Sequence, residues 1–124
     1  MLSQNQLVRA RKLIEKSYRG TCTIAEKRKI TKADHSTGFE DVIICENTPC
    51  RLSFESKIAS NETDSVNTIS QIIKLFISPD IIVAPGSRVV VSQDNLQFAY
   101  KSTGIPAIYP THQEIILKSE KEMA

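Results

Sequence analysis

The stretch SQIIKLFISPDIIVAPGSRVVV, residues 70–91, decides the fold. Residues 69–78 read as a strand buried on both faces, because Ile72, Ile73, Leu75, Phe76 and Ile77 leave Lys74 as the one charged side chain among them. Pro79 ends that run. A short apolar segment at 81–84 then meets Pro85-Gly86, a pair suited to the middle of a type II turn, where proline presets the first backbone angle and glycine tolerates the second. Residues 88–92, with three consecutive valines, are the next strand. β-branched runs punctuated by proline and glycine, with no helical period between them, set the expectation of an all-β body.

The same alternation extends outward. Asp94-Asn95 is a tight-turn pair, followed by Leu96, Phe98 and Tyr100 on one face and Gln97 and Lys101 on the other. Gly104 and Pro106 predict a break, and 112–118 supplies a closing strand through Ile115 and Leu117. Upstream, Cys50, Leu52 and Phe54 alternate with Arg51, Ser53 and Glu55, after a break at Asn47, Thr48 and Pro49. Residues 21–30 and 39–45 read as strands joined by a polar loop at 31–38, which is hairpin logic. Residues 55–68 are rich in Ser, Asn, Thr, Glu and Asp and predict a loop much longer than the usual connection of about 4–6 residues.

The N-terminus follows a different period. Ser3 and Gln6 have capping-box spacing, and Leu7, Ala10, Ile14 and Tyr18 recur at helical intervals until Gly20, which predicts a helix over 4–17. Arg9, Lys12, Lys16 and Arg19 gather opposite that stripe, so the helix should pack on the body, at a barrel end or sheet edge, and expose a basic ridge. One helix, six to eight short strands and no βαβ alternation define a mainly β chain. The expected architecture is a small antiparallel β-barrel, or a strongly bent sandwich, as one domain over 1–124 with a charged tail at 119–124.

Composition restricts function. The net charge of +2 hides an asymmetry: residues 1–32 carry nine Lys or Arg against Glu15 and Glu26, whereas 33–124 carry seven basic and twelve acidic residues. That polarity suits either nucleic acid or subunits meeting head to tail, basic surface to acidic surface. No apolar run approaches the roughly 20 residues of a membrane-spanning helix, and the N-terminus has no apolar leader, so a soluble, unexported protein is expected. Cys22, Cys45 and Cys50 are odd in number and lack metal-ligand spacing, which predicts reduced, buried thiols, with no metal and no cofactor.

His35 and His112 fall in no ligand motif, and Glu40-Asp41 and Glu62/Asp64 read as solvated charge. The glycines are isolated at Gly20, Gly38, Gly86 and Gly104, so there is no phosphate loop, and no catalytic residue is expected. Lys27, Arg28 and Lys29 form a short basic run without interleaved exposed aromatics; the alternation of Phe98 and Tyr100 favours burial over a base-stacking platform.

Three blocks, ENTPCRLSF (46–54), the 70–91 stretch and YKSTGIPAIYPTHQEIIL (100–117), are similar to segments of phage head-closure proteins, the small head-completion or head-tail joining proteins of tailed phages and prophage-like elements of Gram-positive bacteria. The resemblance implies a non-enzymatic β-barrel with a long projecting loop, assembled in the bacterial host cytoplasm and incorporated at the virion head-tail junction. It implies partners: further copies of the chain in a head-to-tail ring, portal or adaptor proteins, tail proteins, and packaged DNA in the channel. It also implies that the loop after the CRLSF strand, with Ser56, Lys57, Ser60, Asn61, Glu62, Thr63, Asp64 and Asn67, forms a channel gate or ring contact. A neighbouring connector role, adaptor or tail completion, fits the same resemblance. The alternative from the residues themselves is a nucleic-acid-binding barrel that uses the helix ridge and Lys27 to Lys29.

Overall fold

A computed structural model describes residues 3–59 and 68–119. One helix, α1 (Gln4–Glu15), precedes six strands: β1 (Gly20–Thr31), β2 (Thr37–Ala59), β3 (Thr68–Ile77), β4 (Arg88–Gln93), β5 (Leu96–Ile108) and β6 (Gln113–Ser119). All pairings are antiparallel and close a barrel in the order β1-β2-β3-β6-β5-β4. Alternate residues point inward from every strand. Cys22 and Ile24, Cys50 and Leu52, Leu75 and Ile77, Val89 and Val91, Tyr100, and Ile115 and Leu117 form a buried core, into which Val83 enters from the loop after β3.

The turn chemistry holds. Gly86 has φ +83° and Ser87 N–H donates to Ala84 O at 3.2 Å, as a type II turn on Pro85-Gly86 requires. Asp94 and Asn95 both have positive φ, the type I′ geometry whose twist matches a two-residue hairpin. The capping box is formed: Ser3 Oγ accepts from Gln6 N–H, and Gln6 Oε1 accepts from Ser3 N–H.

Four readings are corrected. At Asn47–Pro49 β2 does not break: it carries extra residues opposite β1, with Asn47 at φ 48°, so the strand bends while its ladder continues. Pro49 is tolerated because β3 pairs with β2 only from Arg51 onward. The Gly104–Pro106 break is likewise a bulge inside β5, between the Thr103–Ile116 and Ala107–Glu114 pairs. The 55–68 loop is shorter than expected, since β2 and β3 stay in register out to Ala59 opposite Thr68; the ladder is carried by backbone hydrogen bonds, which a polar sequence makes as well as an apolar one. Finally, β3 is buried on one face: Leu75 and Ile77 are core, whereas Phe76 lies outside under the Arg51 guanidinium, 5.9 Å from its ring centre.

The end of the β1–β2 seam is completed by a side chain, that of Gln93. β1 begins at Gly20, which pairs with Cys50 on one side and Gln93 on the other, so no β1 residue reaches Leu52. The buried Gln93 carboxamide takes that place: Oε1 accepts from Leu52 N–H at 2.9 Å and Nε2 donates to Leu52 O at 3.5 Å. Gly20 has to be small here, because a Cβ would lie 2.9 Å from Ser92 O and 3.2 Å from the Gln93 side chain. Gln113 plays a similar part at the loop after β3, its buried amide donating to Ser78 O and Ile81 O at 2.7 and 2.6 Å.

Gln93→Leu keeps the volume but orphans both Leu52 groups. It is expected to lower the free energy of unfolding by about 2–3 kcal/mol in urea titrations, while Gln97→Leu on the exposed side of β5 stays near neutral. Equal stability of the two variants would remove Gln93 from the closure.

Candidate interaction surfaces

Helix α1 turns Leu7, Ala10, Ile14 and Tyr18 toward the body and leaves Arg9, Lys12, Lys16 and Arg19 exposed, as their spacing requires. Its anchor is Arg11, absent from the sequence reading, whose guanidinium pairs with Asp80 at 3.0 Å and donates from Nε to Pro110 O at 2.9 Å. The helix is thereby tied to the loops after β3 and β5. Arg19 lies 3.5 Å from Asp94 at the β4–β5 turn, so the ridge is Arg9, Lys12 and Lys16 with Arg19 at its edge.

Tyr18 ends the apolar stripe with its hydroxyl enclosed and without a hydrogen-bond partner among the described residues. Burial, with the Glu15 charge as a second cause, pushes its pKa up to about 12.

The basic run on β1 is largely matched from β2. Lys27 stands opposite Asp41 and Arg28 opposite Glu40, and Arg28 also reaches Glu26 at 3.3 Å. Glu40 and Asp41 are exposed, as solvated charge is, and stand across the ladder from the basic run. Beyond Ala25 this hairpin pairs only with itself, and it turns at His35, exposed with φ 67°. The β2–β3 hairpin similarly runs past the last β6 pair at Ile73. Of the gate-loop residues, Ser56 and Lys57 lie in β2, paired with Gln71 and Ser70. Ser60, Asn61, Glu62, Thr63, Asp64 and Asn67 lie outside the described residues.

His112 is a hydrogen-bonded histidine at the start of β6. Its Nδ1 lies 3.0 Å from Thr111 Oγ1 and its Nε2 3.0 Å from Glu114 Oε2, and Tyr109 stacks on the ring at 4.9 Å. Glu114 is also 3.7 Å from Lys74, which bridges on to Glu55. Next to this cluster the end of β5 shows Ile105, Ile108 and Tyr109 to solvent, and Ile82 is exposed on the loop after β3. Ile105, 93% exposed, is pushed out by the β5 bulge.

The cysteines are free; Cys22 and Cys50 are buried and Cys45 is partly buried. A hydrogen bond to Cys50, together with burial, pushes the Cys22 thiol well up, and the same hydrogen bond pulls the Cys50 thiol down. Among the described residues no group of His, Cys, Asp or Glu side chains has metal-site geometry, and no helix is long and apolar enough to cross a membrane.

These features define a closed six-stranded antiparallel barrel with two extended hairpins and one basic helix on its outside. The chain is similar in structure to xkdH, a protein of the phage-like element PBSX of Bacillus subtilis, with a TM-score of 0.50 and 10% identity, over 82% of this chain and 94% of that one. At that identity the likeness is one of fold. No protein-family profile matches the chain, and no curated protein matches it.

Tyr18→Phe removes a hydroxyl without a partner and is expected to leave stability at neutral pH unchanged or slightly higher. Because the folded-state pKa lies above the ordinary value of 10, the unfolded phenol ionises first, so wild-type stability is unaffected by this group below pH 10 and falls as pH rises from 10 toward 12. Tyr100, also shifted up by burial, adds to that loss, so the variant should show a smaller alkaline loss rather than none. Melting temperatures across that range check both points; a variant clearly less stable at pH 7 would mean that the hydroxyl has a partner.

Proposed function

We propose that the protein is a structural connector subunit of a phage or prophage particle. It forms a ring at the portal vertex, closes the filled head to retain DNA, and presents the surface on which the tail docks. The observation that carries this reading is the barrel's likeness, over most of both chains, to a protein of a phage-like element. The three sequence blocks fall on structure that builds that barrel: the bend and core end of β2, the β3–β4 crossing, and β5 with β6.

Other features support it. The subunit has different kinds of surface, a basic helix ridge and exposed apolar residues Ile105, Ile108 and Tyr109 at and just after the end of β5, which suit two different neighbours. The β2–β3 hairpin runs past the last β6 pair, out to Ala59 opposite Thr68, and the resemblance to head-closure proteins assigns the channel gate or ring contact to the segment that joins those two residues.

Replacing 60–67 with a short Gly-Ser linker leaves the Ala59–Thr68 pairing in place, and loop-closure entropy changes by only about 0.6 kcal/mol per doubling of length. The barrel should stay folded, while particles carrying the variant package DNA and then leak it or fail to take tails, as counted by electron microscopy. Normal numbers of filled, tailed particles would remove this segment from the mechanism.

Arg9→Glu with Lys12→Glu is expected to shift unfolding by less than about 1 kcal/mol, because both side chains are exposed, yet to reduce ring formation on portal–adaptor complexes. Undiminished assembly in sedimentation would show that the ridge is only solvated.

A further inference from the structure

The register of the barrel brings together cations that are far apart in sequence. Ala25 on β1 is opposite Arg88 on β4, Arg88 is opposite Lys101 on β5, and Lys101 is opposite Lys118 on β6. Residues directly opposite on antiparallel strands share a face, with Cβ atoms about 4.5–5.5 Å apart, and like charges so placed repel. Val89, Tyr100 and Leu117, one position along, are buried, so this row is on the outside. Lys27 continues it: with Ala25, Asp41, Gly86, Arg88 and Lys101 it lines a cavity of about 130 Å³. Four cations thus cross four strands, a span of about 14 Å at the usual strand spacing.

On β6 the outward residues before Lys118 are Ile116 and Glu114, but on β1, β4 and β5 the face has a consistent chemistry. The next outward rows are Thr23–Val90–Ala99 and Thr21–Ser92–Gln97. They contain no acid, no aromatic ring and no exposed large apolar side chain. Asp41 is the one acid lining the cavity. A protein partner needs a buried aromatic or aliphatic anchor, which these rows do not offer. Lys and Arg beside Ser, Thr and Gln on a flat small-residue surface are instead the groups that contact nucleic-acid phosphates. Successive phosphates advance about 3.4 Å along one strand's axis, so the row can meet several.

We infer that the outer face of β1, β4 and β5, with Lys118 of β6 at its rim, is a duplex-DNA backbone contact centred on Lys101 and Lys118 and flanked by Lys27. Arg88 already has a partner within the chain, so its full charge is not needed for this contact. The inference deepens the connector reading, on which it rests for where DNA is met, by naming the face that DNA touches. It differs from the helix ridge and shares only Lys27 with the Lys27–Lys29 run: it reads no sequence and works through phosphate neutralisation.

The test uses the isolated full chain and a short fluorescently labelled DNA duplex, with anisotropy followed from about 50 to 200 mM salt. Wild type should bind weakly, with affinity falling steeply with salt. Lys101→Gln with Lys118→Gln should bind less tightly and reduce the slope of log affinity against log salt by about 1.8, the share of two phosphate contacts. The same double variant should melt no lower than wild type, because it removes a repulsion rather than a support. Arg9→Gln with Lys12→Gln should leave the slope unchanged.

An unaltered slope in the Lys101/Lys118 variant, or no salt-dependent binding by wild type, would overturn the inference. So would competition by polyglutamate as effective as that by DNA at equal charge, which would assign the face to an acidic protein. These readings need no ring and no particle, so they fail or succeed separately from the portal and particle experiments that test the connector role.

Discussion

The barrel closes through β1, which pairs with β2 on one side and β4 on the other, and one carboxamide completes the end of the β1–β2 seam. β1 is too short to cover the edge of β2 at Leu52, and an uncovered pair of backbone groups at a buried seam would cost more than most single contacts contribute. Gln93 supplies an amide in place of the missing peptide, with its oxygen toward Leu52 N–H and its nitrogen toward Leu52 O. Gly20 makes room for it, and the type I′ turn at Asp94-Asn95 starts directly after it. With the seam shut, Cys22, Ile24, Leu52, Leu75, Val89, Val91 and Ile115 face one dry interior, and the ladder has no edge there to pair with another chain.

Closure also determines what is left outside. The strands that outrun the barrel become two hairpins, and the loops at the ends of β3 and β5 are held down by Gln113 and by Arg11 from the helix. The exterior is then divided by chemistry: a basic helix, an apolar end around Ile105 and Ile108, and a flat polar face crossed by cations. Separate faces for separate neighbours are what a connector subunit would need, and this division is the physical basis of the proposal.

Much of the fold was legible because its signals are local. Period-2 alternation placed Cys22 and Ile24, Cys50 and Leu52, and Ile115 and Leu117 inside, and the Pro85-Gly86 and Asp94-Asn95 pairs marked their turns. The failures share a cause. Asn47-Thr48-Pro49 and Gly104-Ile105-Pro106 look like stops in sequence, yet a neighbouring strand already paired on one side carries the ladder through them as bulges. The polar residues after Phe54 look like a loop because they carry no hydrophobic period, yet backbone pairing extends the ladder to Ala59 and Thr68. The functional surfaces were legible in part: the helix ridge follows from spacing alone, but Gln93 reads as one more polar residue before a turn. Nothing local in the sequence relates Arg88, Lys101 and Lys118, since their adjacency is created by strand order and register, which periodicity does not encode.

The most direct test of this account is the exchange rate of a single backbone hydrogen. If Gln93 closes the barrel, the Leu52 amide should exchange with solvent deuterium only through global unfolding, as slowly as the amides of Leu75 and Val89 in the core strands. Exchange at Leu52 many-fold faster than at those two residues, under conditions where they stay protected, would mean that the seam is open in solution and that the fold is held together some other way.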